Sequence, residues 1–152
     1  MAPTRILVVD DSPDLLIILV HTLRGAGYHT VTAPSGKDAL RELAAQSFDL
    51  VLTDLSMPEM SGVELIEHIR GDQQLQRLPI VVITGFGSGP LATAAMQAGA
   101  NALLCKPFQR QQLLREVQQW IPASPVPAAQ PTIGGRAEEG GESGQWQLRS
   151  DA

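Results

Sequence analysis

Asp10, Asp11, Asp54, Thr84 and Lys106 share one property: each stands where a short apolar run ends. Asp10 and Asp11 follow Arg5–Val9, Asp54 follows residues 49–53, Thr84 closes the run that starts at Ile80, and Lys106 follows Ala102–Cys105. If these runs are parallel strands of one sheet, the five side chains collect at one edge. Three carboxylates there repel one another, and each pair at about 5 Å costs on the order of 3 kcal/mol with an effective dielectric near 20. One lysine cannot cancel that, whereas a hard divalent cation can. Mg²⁺ favours one or two carboxylates together with waters and phosphate oxygens, and Mn²⁺ accepts a similar oxygen-rich set. A carboxylate in such a pocket can attack phosphorus, and Asp54 is the central one. The cation and Lys106 would neutralise the equatorial oxygens, while the Thr84 hydroxyl and the Gly85 amide would donate hydrogen bonds. An acidic residue at one strand end is ordinarily just a loop residue, so the weight rests on the three aspartates, Thr84 and Lys106 together, at four strand ends.

The elements that must position them follow from hydrophobic patterning. Arg5–Val9 is a branched apolar run suited to a strand buried on both faces. Ser12 and Pro13 then read as a helix cap and first turn, with the helix ending near Gly25 or Gly27. The pattern continues with a strand at 28–33, a helix at 35–46, a strand at 49–53, a helix at 62–70 and a strand at 80–83. A helix at 91–98, a strand at 102–105 and a helix at 109–120 complete it. Strand and helix alternating five times over with short connections predict an α/β fold, a doubly wound parallel sheet covered by helices on both faces. Ligands of such sheets bind beyond the carboxyl ends of the strands, where the winding direction changes.

Composition removes several classes of function. The 152 residues hold 16 acidic and 11 basic side chains with no block of five or more like charges, so direct nucleic-acid or anionic-membrane binding is not expected. The longest apolar run of the first helix, 15–20, is far too short to span a bilayer, and no signal peptide is evident. A single cysteine, Cys105, forms no internal disulfide, and a cytoplasmic location fits. Residues 1–121 make one domain. From Pro122 to Ala152 the chain turns to Pro, Ala, Gly, Ser and Glu and reads as a flexible tail, in which Trp146-Gln147-Leu148-Arg149 is at most a short binding motif.

Over residues 4–121 the chain resembles the response-regulator receiver domains. The shared residues are Ile-Leu-Val-Val-Asp-Asp at 6–11, Asp54 followed by Met-Pro-Glu-Met-Ser-Gly at 57–62, Thr84-Gly85, Gly99-Ala100 and Lys106-Pro107-Phe108. The resemblance implies a flavodoxin-like three-layer α/β/α fold with strand order 2-1-3-4-5 and five helices. It also implies phosphorylation of Asp54 by a histidine kinase or histidine phosphotransfer protein, in two-component or phosphorelay signalling. Mg²⁺ would be held by Asp11, Asp54 and the Ser56 main-chain carbonyl, with Asp10 acting largely through water. The chain would then be no enzyme beyond its own phosphorylation and dephosphorylation. The Lys106–Pro107 bond would be cis. The stretch 84–92 looks like the nitrogen-regulation type of receiver, which often carries a DNA-binding domain; none is expected in this chain. One departure is Leu103, where receivers usually carry Tyr or Phe that moves with the threonine. That leaves an alternative open, a pseudo-receiver serving as an unphosphorylated interaction scaffold.

Other residues have plainer readings. Gly85 is a turn glycine or a small residue that admits phosphate beside Thr84. Met57 and Met60 are packing residues, since thioethers are poor ligands for hard cations. His21, His29 and His68 show no metal spacing and should be exposed, and Cys105 should be structural. Phe86 could stand in for the missing aromatic and, with Ser56, flank the site and influence water access. The apolar band 15–20 is wider than one helix face, so Leu16, Ile17 or Val20 should point outward and offer the kinase or phosphotransfer partner a docking surface.

Overall fold

A computed structural model of the chain describes residues 4–85 and 89–121. The expected tail, the Trp146–Arg149 stretch within it and Phe86 lie outside the described residues. Five strands, β1 (Arg5–Val9), β2 (His29–Ala33), β3 (Leu50–Asp54), β4 (Ile80–Thr84) and β5 (Ala102–Cys105), form one parallel sheet in the order β2-β1-β3-β4-β5. They alternate with α1 (Pro13–Gly25), α2 (Gly36–Ala45), α3 (Gly62–Gly71), α4 (Pro90–Ala98) and α5 (Arg110–Trp120). The expected class, strand order and helix count are those observed. Boundaries differ by a residue or so: β3 runs through Asp54 and β4 through Thr84, so both side chains belong to the strands themselves.

Alternation along the strands divides the core in two. Leu7, Val9, Val51, Ile80 and Val82 face Ala39 and Leu43 of α2, Leu65, Ile66 and Ile69 of α3, and Ala95 of α4. Ile6, Val8, Leu50, Leu52, Val81 and Ile83 face Leu19 and Leu23 of α1 and Leu113 and Val117 of α5. Every residue of β3 and β4 is buried, as strands with helices on both sides require.

Serines start three helices. Ser12 Oγ accepts from Leu15 N–H with Pro13 in the first turn, Ser35 Oγ accepts from Asp38 N–H, and Ser61 and Glu64 form a reciprocal capping box. At the opposite end of the sheet, Arg70 of α3 donates to the carbonyls of Gly99, Leu75, Gln76 and Leu78 and to Asn101 Oδ1. Asn101 Oδ1 also accepts from Ile80 N–H, so one guanidinium ties the end of α3, the entry to β4 and the end of α4 together.

The outward residues of α1 need correction. Leu15, Leu16, Leu19 and Leu23 fall on one stripe toward the core, and Val20 is half-buried on its flank. Ile17, 66% exposed, points outward as expected, but its companion is Ile18, 56% exposed, rather than Leu16 or Val20. Among the described residues no helix is long and apolar enough to cross a membrane.

Candidate functional site

The winding reverses between β1 and β3, and the ends of these two strands carry the three aspartates. Val9 lies opposite Thr53 in the parallel register, so the next residue on each strand, Asp10 and Asp54, are brought side by side. Asp54 in turn lies opposite Ile83, which places Thr84 one step farther along β4, and Thr84 lies opposite Cys105, immediately before Lys106. The Lys106 N–H donates to the Thr84 carbonyl at 2.8 Å, fixing the start of that loop. Four neighbouring strands thus deliver five polar side chains to one edge, as their positions at the ends of apolar runs predict.

Asp10, Asp11 and Asp54 each present a carboxylate oxygen such that all three lie within 4.8 Å of one another. Lys106 Nζ is 3.6 Å from Asp54 Oδ1 and 3.9 Å from Asp10 Oδ2. Asp10 and Thr84 are nearly inaccessible and Asp54 is buried, whereas Asp11 is exposed. Burial pushes the Asp10 carboxyl above its ordinary value. The hydrogen bond from Ser12 N–H to Asp10 Oδ1 opposes that rise, the Asp54 charge adds to it, Lys106 opposes it, and Asp11 adds to it. A buried group held this way, amid two like charges and one ammonium, is an incomplete electrostatic set. Oxygen donors alone, in a partly open cluster, fit a hard divalent cation such as Mg²⁺ better than a softer metal.

The loop from β3 to α3 is tightly specified. Asp54 Oδ1 accepts from Leu55 N–H at 2.9 Å, and the Gly62 N–H returns to the Leu55 carbonyl at 2.9 Å. A Cβ at Gly62 would run into the Asp54 carbonyl and Leu55 Cα, so only glycine lets α3 begin this close to the site. Between these ends, Glu59 adopts φ +70° while Met60 N–H donates to the Pro58 carbonyl at 2.8 Å, a γ-turn of the strained hand. Ser56, on the same loop, is exposed.

Most of the remaining expectations are met. The Lys106–Pro107 peptide is cis. Met57 and Met60 pack against the core, and the three histidines are exposed. Leu103 is half-buried against the α2, α3 and α4 side of the core. A Cβ at Gly85 would meet open space, and its φ is not positive, so neither packing nor turn geometry demands glycine there. Cys105 departs from the structural role expected of it: the last residue of the edge strand β5, it is exposed. Gly36 and Gly62 are structural necessities that the apolar pattern does not single out. Both follow a serine cap at the first helical position, where glycine is a poor helix former, and that mismatch is the signal of a close approach.

Comparison with known proteins agrees with this geometry. The family profile of the response regulator receiver domain matches residues 6–118. Chemotaxis protein CheY of Pseudomonas aeruginosa is 35% identical over 115 residues, which cover 75% of this chain and 93% of that protein. Transcriptional regulatory protein GlrR of Escherichia coli is 40% identical over 115 residues, 76% of this chain but only 26% of GlrR. Among solved structures, CheY4 of Vibrio cholerae superposes with a TM-score of 0.75 at 34% identity, over 78% of this chain and 99% of its own. The receiver domain of sensor histidine kinase PA1611 from Pseudomonas aeruginosa, with a magnesium ion coordinated in its active site cleft, gives a TM-score of 0.75 at 32% identity, over 79% and 98% of the two chains. Strand order, acidic cluster and profile all point the same way: the chain belongs to the response regulator receiver domain family.

Proposed function

We propose that this receiver domain accepts a phosphoryl group on Asp54 from a histidine kinase or histidine phosphotransfer protein of a two-component system. The observation that carries the reading is the buried Asp54 carboxylate, 3.6 Å from the Lys106 ammonium and grouped with Asp10 and Asp11. An Asp54 carboxylate oxygen attacks phosphorus, the P–N bond to the donor imidazole breaks, and an acyl phosphate forms on Asp54. Asp10, Asp11, Asp54 and the Ser56 carbonyl would hold Mg²⁺, with Mn²⁺ as a substitute; the ion supplies positive charge against the transferring oxygens. Lys106 balances the charge of Asp54 and of the incoming oxygens, and Thr84 and the Gly85 amide donate to them. The open space beside Gly85 leaves room for that approach. The chain acts on no separate substrate; its chemistry is its own phosphorylation and dephosphorylation. The exposed unpaired Cys105 suits a reducing cytoplasm.

For docking, α1 offers exposed Ile17 and Ile18, with a groove along its β2 side lined by Pro13, Leu16, Ile17, Val20, Arg24 and Thr32. Covering an exposed isoleucine fully is worth about 1.5 to 3 kcal/mol, enough to contribute to a transient complex.

The test is intact-protein mass after incubation with acetyl phosphate, with and without Mg²⁺, on wild type and Asp54→Asn. One phosphoryl adduct that needs Mg²⁺ and disappears in the variant is the expected result. The half-buried Leu103, in place of the usual aromatic, is the observation that favours a scaffold instead. A folded protein that binds Mg²⁺ yet forms no adduct would favour that second reading.

A further inference from the structure

The β3–α3 loop carries Ser56 past the aspartates in a shape that an unsupported chain would not keep. Glu59 sits at φ +70°, in a γ-turn closed by the Met60 N–H on the Pro58 carbonyl. A non-glycine residue in such a turn is strained, and it persists only where its surroundings over-determine it. Two of the restraints lie where the loop enters α3: Gly62, pressed on the Asp54 carbonyl, and the Ser61–Glu64 capping box. The third lies within it, one residue beyond Glu59.

Met60 is half-buried and packs against the core, and it lies over Gly36 at the start of α2. A Cβ on Gly36 would stand 2.6 Å from Met60 Sδ, 2.9 Å from Cγ and 3.0 Å from Cβ, so the Met60 side chain from Cβ to Sδ occupies the space that any larger residue would fill. Gly36 itself is buried, is helical and has no positive φ. Its backbone does not ask for glycine; the close approach of Met60 does.

From this contact we infer that Met60, seated over Gly36, is a positioning residue for the cation site: it braces the strained turn and thereby aims the loop that carries Ser56. The inference rests on the proposed Mg²⁺ reading and extends it to a contact on α2, away from the carboxylates. Groups that orient metal ligands without touching the metal typically contribute about 10- to 100-fold in affinity. Met60→Ala should therefore weaken Mg²⁺ binding by about tenfold, and Gly36→Ala, which expels the same side chain from below, should match it. Met60→Leu, which fills a similar volume, should retain the wild-type affinity. Glu59→Gly introduced into Met60→Ala should recover most of the loss, because glycine adopts the turn without strain and no longer needs the brace.

The experiment is titration of each purified protein with Mg²⁺ by calorimetry, checked with Mn²⁺ by electron paramagnetic resonance, beside thermal unfolding in chelator. A merely structural role would lower the melting temperature in chelator and would not be reversed in affinity by Glu59→Gly. Wild-type affinity in Met60→Ala, or a loss that neither Met60→Leu avoids nor Glu59→Gly repairs, overturns the inference. If Met60→Ala does not fold, Gly36→Ala decides in its place by the same tenfold criterion. A wild-type protein that binds neither ion overturns the proposed function as well, whereas binding unaffected by Met60→Ala overturns this inference alone.

Discussion

Asp10→Asn should stabilise the metal-free protein and remove most of the stabilisation that Mg²⁺ brings. The three carboxylates lie within 4.8 Å of one another, so ionised Asp10 feels two repulsions of about 3.5 kcal/mol each at an effective dielectric near 20. Lys106, at 3.9 Å, returns about 4 kcal/mol by the same relation. Asp11 is exposed, which screens its share, while burial, the largest cause of the raised Asp10 pKa, adds to the charge balance, for a net penalty of about 1 to 2 kcal/mol. Asparagine keeps an oxygen for the Ser12 N–H, so the cap on β1 survives. In chelator at neutral pH the variant should melt about 4 to 8 °C above wild type. Saturating Mg²⁺ should reverse the order, because a free Mg²⁺ concentration about a hundredfold above the dissociation constant adds about 2.7 kcal/mol to wild type and far less to a site short of one carboxylate. The pH dependence has a definite sign. Asp10 has a raised pKa in the folded state, so the native protein binds its proton more tightly than the unfolded chain does. The contribution of Asp10 to the stability of metal-free wild type therefore falls as pH rises from 3.8 through the raised value, and the advantage of the variant should vanish on acidification below 3.8. Melting curves in chelator and in Mg²⁺, at neutral and acid pH, read all of this. An Asp10→Asn protein less stable than wild type in chelator would refute the electrostatic account.

Two further outcomes follow from the packing. Arg70→Ala should lose about 2 to 4 kcal/mol in urea unfolding, because it strands the part-buried carbonyls of Gly99, Leu75 and Leu78 that one guanidinium now serves; Arg70→Lys should recover only part of this, a single ammonium being unable to span them. Ile17→Glu should change stability by less than about 0.5 kcal/mol yet slow phosphotransfer from the cognate kinase. Leu16→Glu should destabilise the fold itself, since Leu16 packs on the core; equal stability losses in the two would contradict the helix orientation.

The sheet was legible because each strand is an apolar run with nothing polar until its end, and the site was legible because those ends are where Asp10, Asp54, Thr84 and Lys106 fall. Strand order came through the resemblance, not through the runs themselves, since any permutation of buried strands shows the same pattern. The phase of α1 was harder. Six consecutive apolar residues give no contrast between faces, so Ile18 could be told from Leu16 only once Leu19 and Leu23 were seen to face the sheet. Cys105 differs from expectation for a related reason: β5 is the edge strand, and its last residue has no neighbouring strand on one side. The contact of Met60 with Gly36 joins residues far apart in sequence and has no local signature except a glycine placed where helix propensity argues against it.

Charge counting at the site explains why so few residues suffice. With Asp10, Asp11 and Asp54 ionised and Lys106 protonated, the cluster carries a net charge of −2, which one divalent cation neutralises. Converting the Asp54 carboxylate to an acyl phosphate replaces a single negative charge by about two. If the site is loaded and phosphorylated as proposed, it would be left with about one negative charge in excess. Of the residues gathered there, Thr84 and the backbone at Gly85 are the neutral donors, and they begin the segment that leads into α4. Under the proposed phosphorylation, the excess charge would be met by these donors at the end of β4.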